Sequence, residues 1–211
     1  MVDYTGALKK AFSNIPNLVI GTIIAAIPIL SILLLGYGVR IIEEVSKGAK
    51  ETPKWSEDIG GLIVKSILVF LIVLIYMIPT LIVFALVAGA LIASLAAGLI
   101  DPNAILGALG TAGTLVLLGA LVGLLTVYIL PSAIVSFARG GSFGSAFAIG
   151  TVIKKAFSVA YFVTALVVLV LSLILMTIAS MIPLIGFVLV GLVSYIITVF
   201  SYTAYAEAIK K

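Results

Sequence analysis

Four long stretches of the chain, Ile15–Val39, Leu62–Ile100, Ala104–Ala138 and Ser158–Ala206, are apolar and hold a single charged residue between them, Lys65. Each is longer than the roughly 20 residues with which an α-helix crosses hydrocarbon. The chain is therefore constrained to a helical fold with the bilayer as its solvent. Composition agrees: 64% of residues are hydrophobic and 9% charged, against roughly 45–50% and 25% in soluble domains. The longest polar stretch, Glu43 to Ile59, is too short for a separate soluble module, so one membrane domain over residues 1–211 is expected.

The same composition excludes several functions. The net charge is +4, but the cations are dispersed in pairs beside the apolar runs. That pattern fits the positive-inside rule and not a nucleic-acid surface. The chain has no Cys and no His, which removes disulfides, thiolate nucleophiles, the usual zinc and haem ligands and Ser-His-Asp catalysis. No catalytic residue, cofactor or metal is expected. Gln is also absent and Asn occurs only at 14, 17 and 103, a depletion shared with heat-adapted proteins. Met1–Phe12 has neither the flanks nor the cleavage site of a signal peptide.

Charge placement gives a topology. The connections Ile100–Leu106 and Ser180–Gly186 hold no Lys or Arg and are expected outside. The basic segments are Lys9 and Lys10, then Arg40, Lys47, Lys50 and Lys54, then Arg139, Lys154 and Lys155, and finally Lys210 and Lys211. These are expected in the cytoplasm, with both termini. A simple span over Ile15–Val39 would put the first two basic segments on opposite faces. The favoured resolution is a re-entrant hairpin, or a pair of short tilted helices, broken near Pro28. Five spans with an external N-terminus, or a split of Leu62–Ile100 at Pro79 into two short passes, are the alternatives.

A short internal similarity supports that resolution. Leu8-Lys9-Lys10-Ala11-Phe12-Ser13 recurs as Ile153-Lys154-Lys155-Ala156-Phe157-Ser158, each ahead of an apolar run with a proline, Pro28 or Pro183. Tyr4, Ala7, Leu8, Ala11 and Phe12 fall at helical spacing, as do Phe143, Phe147, Gly150, Ile153 and Phe157. They predict either two amphipathic helices in the cytoplasmic interface or the first turns of the following spans.

Unbroken helices over Leu62–Ile100 and Ala104–Ala138 would be about 58 and 52 Å long, against a hydrocarbon core of roughly 30 Å. They must tilt, bend or project, with Pro79 and Pro131 as kink points and Lys65 snorkelling to the interface. Ala85, Gly89, Ala93 and Ala97 recur every four residues. Gly119 and Gly123 make a GxxxG below Gly107, Gly110 and Gly113. Small faces let helices approach closely, within one chain or between copies. At membrane depth the available polar groups are Tyr76, Thr80, Thr126, Tyr128, Ser132 and Ser136. The lack of intramembrane acids argues against coupled transport.

Arg40, Lys54, Trp55, Arg139, Lys154 and Lys155 are the candidate contacts to the interface or to lipid headgroups. Tyr195, Tyr202 and Tyr205 read as interfacial anchors. Glu43, Glu44, Glu51, Glu57 and Asp58, interleaved with lysines, read as a solvated mixed-charge helix end rather than a metal site. Gly140-Gly141 does not have the spacing of a phosphate loop.

The run Gly36-Tyr37-Gly38-Val39-Arg40, the following Pro53-Lys54-Trp55, Gly61, and Pro131 with Phe137-Ala138-Arg139-Gly140-Gly141-Ser142-Phe143 and Ala146-Phe147 resemble a family of small archaeal and bacterial integral membrane proteins. That family is known only as a domain of unknown function. Its usual Leu before the Pro-x-Trp is Thr52 here. A more distant similarity is to bacterial membrane proteins with an interfacial helix before paired spans. These resemblances imply a polytopic helical fold, and no substrate or site residue.

The expected architecture is all-α and polytopic, with four to six membrane helices in hairpin-like pairs. An interfacial helix over 1–14 precedes a re-entrant hairpin or first span over 15–42 and a cytoplasmic loop over 43–61. A long hairpin over 62–138, an amphipathic segment over 139–157, a second hairpin over 158–206 and a tail over 207–211 follow. The expected function is non-enzymatic: a homo-oligomer or scaffold in the cell membrane, contacting lipids and a protein partner of unknown identity. The alternative is an uncoupled channel or facilitator for a small neutral or lipidic solute.

Overall fold

The computed structural model describes residues 2–98, 102–182 and 186–209. Among these, all regular structure is helical: α1 (Tyr4–Ala11), α2 (Ile15–Ala26), α3 (Leu33–Ser46), α4 (Ile59–Gly98), α5 (Pro102–Gly140), α6 (Ile149–Ala156), α7 (Val159–Ser180) and α8 (Gly186–Ala208). Short 3-10 turns lie at Leu30–Ile32 and Phe143–Phe147. Four helices, α4, α5, α7 and α8, are long and apolar enough to cross a membrane. Their outward side chains, such as Leu117, Leu124, Leu173 and Phe187, are exposed apolar groups suited to acyl chains. The turn at Pro183, the residues 99–101 and Lys210 and Lys211 lie outside the described residues.

The Ile15–Val39 run is broken. Asn14 caps α2, its side chain accepting from the Asn17 amide at 3.1 Å, and Pro16 pre-sets the first turn. The helix stops at Ile27, whose backbone is extended, as expected of a residue before proline. At 12 residues, α2 is about 18 Å long at 1.5 Å per residue, short of a hydrocarbon core of roughly 30 Å. The break near Pro28 is thus as expected. The alternative break at Pro79 does not occur: α4 runs for 40 residues through Pro79, and α5 for 39 through Pro131.

The chain divides into two compact units, residues 1–72 with 131–211, and residues 73–130. In the first, α8 is the hub, packed against α1, α2, α3 and α7. Glycines set how closely the helices meet. A Cβ on Gly21 of α2 would enter the ring of Tyr195 on α8. A Cβ on Gly191 of α8 would lie 2.7 Å from the Thr22 carbonyl oxygen and 2.9 Å from the Ala26 Cβ. The two helices so exchange glycine notches. Gly38 of α3 receives Tyr202 of α8 in the same manner, and Gly36 lies against the Leu62 carbonyl and Ser66 of α4. In the second unit, Gly119 of α5 faces Val83 and Phe84 of α4, and Gly123 faces Thr80.

The repeated segments form matching elements. Both α1 and α6 have 8 residues and end on Lys-Lys-Ala. Ser13 and Ser158 each turn back to donate to a lysine carbonyl, Lys10 at 2.8 Å and Lys155 at 2.9 Å. In α1 the buried residues are Ala7, Lys10 and Ala11, and in α6 they are Val152 and Ala156. The larger Leu8, Phe12, Ile153 and Phe157 point outward, as do Lys9 and Lys154. Both are separate helices rather than first turns of the next one. Phe143 and Phe147 do not continue the α6 face as expected. They form their own 3-10 turn, with ring centroids 5.1 Å apart, after Gly141 has reversed the chain at φ +66.

Candidate functional site

The polar groups of the first unit collect where α1, the ends of α3, α5 and α8, and α6 come together. The loop between α3 and α4 is fastened by one residue of α2. Asn17 donates through Nδ2 to the Thr52 hydroxyl at 3.0 Å and the Pro53 carbonyl at 3.0 Å, and its own carbonyl accepts from Trp55 Nε1 at 3.0 Å. Trp55 stacks on Tyr37 at 3.9 Å between centroids and 4° between planes. The Tyr37 hydroxyl donates to the Pro53 carbonyl at 2.8 Å, and Tyr195 closes the cluster 6.0 Å from Tyr37. The two short runs Gly36–Arg40 and Pro53–Trp55 thereby meet in one buried cluster.

Several expected surface residues prove to be internal. Trp55 is only 6% exposed, so it does not meet headgroups: a full aromatic face and an indole N–H are both satisfied within the chain. Tyr195 and Tyr205 are buried and Tyr202 is half-buried, which corrects their reading as interfacial anchors. Arg40 is 6% exposed. Its Nη2 donates to the Asp58 carbonyl and lies 3.7 Å from the Asp58 carboxylate. Asp58, at a positive φ of 41, caps α4 by accepting from the Gly61 amide at 2.9 Å, a conformation Asp tolerates better than most residues. Arg40 thus secures the entry into α4 and is not free for lipid.

Two further carboxylates are ion-paired, one of them across elements. Glu44 pairs with Lys47 at 2.8 Å within one turn. Glu43 reaches Lys65 of α4 at 2.6 Å, so Lys65 is held by a partner rather than snorkelling alone. Lys54 is exposed. Lys10 is buried and donates to the Ala49 carbonyl at 2.7 Å. Burial lowers its pKa, opposed by the nearby charges of Glu44 and Glu207.

Arg139, at the end of α5, reaches three neighbours. Nη2 donates to the Ala206 carbonyl at 2.6 Å, Nη1 to the Ile209 carbonyl, and Nε to the Ser46 hydroxyl at 3.4 Å. A cation on the terminal carbonyls of α8 satisfies them and complements the helix dipole. The sequence marked Arg139 as a surface cation, and only the tertiary fold reveals it as a helix cap. Lys155 lines two cavities of about 700 and 310 Å³, and Lys154 lines the larger. A third, of about 430 Å³, lies among Asp3, Lys9, Lys10, Lys50 and Glu207.

The small-residue faces divide. Gly119 is buried and Gly123 half-buried within the second unit. Ala85, Gly89 and Ala93 on α4, and Gly107, Gly110 and Gly113 on α5, are exposed. The Ala97 side chain lies outside what is described. Two of the membrane-depth hydroxyls are satisfied separately: Thr126 donates to the Val122 carbonyl at 2.9 Å and Ser132 to the Val152 carbonyl at 2.9 Å. Buried Thr80, Ser136 and Thr203 hydroxyls have no hydrogen-bond partner. Among the described residues no three of His, Cys, Asp and Glu gather where they could hold a metal.

No curated protein and no solved structure matches the chain. A family model, described as a protein of unknown function (DUF4013), matches residues 19–200. That span takes in the α2–α3 break, the Tyr37–Trp55 pair, three of the candidate membrane helices and most of the fourth. The chain therefore belongs to this DUF4013 family, which agrees with the expected membership of a family of unknown function.

Proposed function

We propose that this is a non-enzymatic, multi-pass protein of the cell membrane that self-associates through the exposed small faces of α4 and α5, with both termini in the cytoplasm. The observation that carries this reading is how differently the glycines are used. In the first unit Gly21, Gly36, Gly38 and Gly191 each receive a neighbouring group. On Gly89, Gly110 and Gly113 an added Cβ meets no described atom within 4 Å. A glycine inside a helix costs about 1 kcal/mol relative to alanine, and no contact within the described chain offsets that cost. A second copy laid against Ala85, Gly89 and Ala93, or against Gly110 and Gly113, would supply the close backbone approach that such faces permit.

The cytoplasmic assignment is supported by the joining of basic segments at one end of the first unit. Lys10 bonds to Ala49 beside Lys50, and Arg139 bonds to Ser46 beside Lys47. The test is the subunit count in nanodiscs, read by native mass spectrometry for the wild type, Gly89→Leu and Gly110→Leu. A defined oligomer that at least one substitution breaks up agrees with the proposal. A wild type that stays monomeric at every protein-to-lipid ratio overturns it.

A further inference from the structure

Among the described residues, Arg139 and Lys155 are brought together without an anion. Among the described residues the ion pairs are Arg40–Asp58, Lys47–Glu44 and Lys65–Glu43, none of which involves Arg139, Lys154 or Lys155. Glu207, near the same helix end, accepts from the Asp3 amide at 2.6 Å on the α1 side. The hydrogen bonds of Arg139 go to two carbonyls and a hydroxyl. Of its five N–H donors these use three and neutralise none of its charge. Burial and the Arg139 charge both lower the Lys155 pKa, the mark of a cation lacking a counter-ion.

These two cations line a cavity of about 310 Å³ with Ser136, Gly140, Ser145 and Thr151. Ser136 and Arg139 lie one turn apart on α5 and Gly140 follows, so all three face the cavity at helical spacing. Gly140 has no Cβ, and the Ser145 side chain fills the space that one would occupy. The Ser136 hydroxyl is an independent sign. Its residue is 5% exposed and its Oγ has no partner, although a buried hydroxyl left unpaired costs about 1–3 kcal/mol. It lines the cavity that holds the two cations.

We propose that this cavity binds the phosphate of an anionic phospholipid, with Arg139 and Lys155 supplying charge and Ser136 an additional hydrogen bond. The surroundings favour a lipid over a soluble anion. Ile153, Phe157 and Val159, at 41, 63 and 80% exposure, stand around Lys154 and Lys155, where acyl chains would lie while the headgroup sits in the pocket. Lys155 also lines the neighbouring 700 Å³ cavity with Lys154 and Ser158, which gives the rest of a headgroup room. Charge-assisted bonds from guanidinium and ammonium to phosphate are the strong class of hydrogen bond.

The experiment uses the full chain in nanodiscs of phosphatidylcholine, with or without phosphatidylglycerol, released and weighed by native mass spectrometry. The wild type is expected to retain phosphatidylglycerol, Lys155→Gln to retain roughly tenfold less for the loss of one charged hydrogen bond, and Lys54→Gln to match the wild type. Ser136→Ala separates a ligand contact from a structural one. It should lower retention while leaving thermal stability in phosphatidylcholine unchanged or higher, since it deletes an unpaired buried group. Equal losses in Lys155→Gln and Lys54→Gln would overturn the site in favour of diffuse attraction. Retention unchanged in both Lys155→Gln and Ser136→Ala would also overturn it. In a second arm, inorganic phosphate alone is tested for protecting Lys155 from amine acylation. Protection without lipid retention would replace the lipid assignment with a soluble phosphate ligand.

Discussion

At the scale of the residue, the same amino acid takes opposite roles according to what stands opposite it. Gly191→Ala forces a Cβ to within 2.7 Å of a carbonyl oxygen on α2, and overpacking of this kind costs about 1–3 kcal/mol. Gly60→Ala, in the first turn of α4, meets no described atom within 4 Å and should alter stability by no more than about 1 kcal/mol, in the direction of helix propensity. Thermal unfolding of the two variants in one bilayer should therefore separate clearly, with Gly191→Ala the lower. Lys155 gives a pH-dependent counterpart. Its folded pKa is lowered by burial and by Arg139, so its charged form disfavours the folded state. That cost is fully present below the folded pKa and disappears as pH rises to the unfolded value of about 10.4. In phosphatidylcholine, Lys155→Gln should unfold at a higher temperature than the wild type at neutral pH, and the gap should close as pH approaches that value. A gap that widens with alkalinity would contradict the desolvated, unpaired cation described above.

At the scale of the element, helix ends decide where the apolar runs are cut. Asn14 caps α2, and Ser158 caps α7 by accepting from the Tyr161 amide at 3.3 Å. Asn14→Ala and Ser158→Ala should each cost about 1 kcal/mol, measured by thermal unfolding. Much of this level was legible in the sequence. Run length gave the helical class and the long hairpin, and Pro28 gave the break after α2. The recurring Lys-Lys-Ala-Phe-Ser marked two equal helices with equal serine turns. The exceptions have a common cause. Trp55, Arg40 and Tyr195 carry polar atoms that an interface would satisfy, so sequence alone placed them there. The Asn17 carbonyl takes the Trp55 indole N–H, the Asp58 carbonyl takes Nη2 of Arg40, and the Tyr37 hydroxyl lies 3.4 Å from that of Tyr195, and such long-range partners leave no periodic trace. Pro79 read as a kink point, with a break there as an alternative, and the missing hydrogen bond of one proline does not interrupt a helix of 40 residues. The Arg139 site was half legible: its charge stood out, whereas its pairing with Lys155 and Ser136 depends on α6 folding back beside α5.

At the scale of the whole molecule, the short α2 supports the proposed topology. A helix of about 18 Å cannot carry the chain across roughly 30 Å of hydrocarbon, and α3 returns from the break to contact α2 and α8. The bond from Lys10 to Ala49 then ties the N-terminal helix to the loop after α3. On the proposed topology, segments joined by a direct hydrogen bond of 2.7 Å belong to one face of the bilayer. The chain has no Cys, so single cysteines report without background. Thr5→Cys, Lys50→Cys and Ser142→Cys should all react with a membrane-impermeant maleimide from one side. Met181→Cys, at the far end of the 22-residue α7, should react only from the other. In sealed inverted vesicles the first three should label and Met181→Cys should not, and in intact cells the pattern should reverse. Labelling of Thr5→Cys and Lys50→Cys from opposite faces would mean that the chain crosses the bilayer between them, and the re-entrant reading of residues 15–39 would fall.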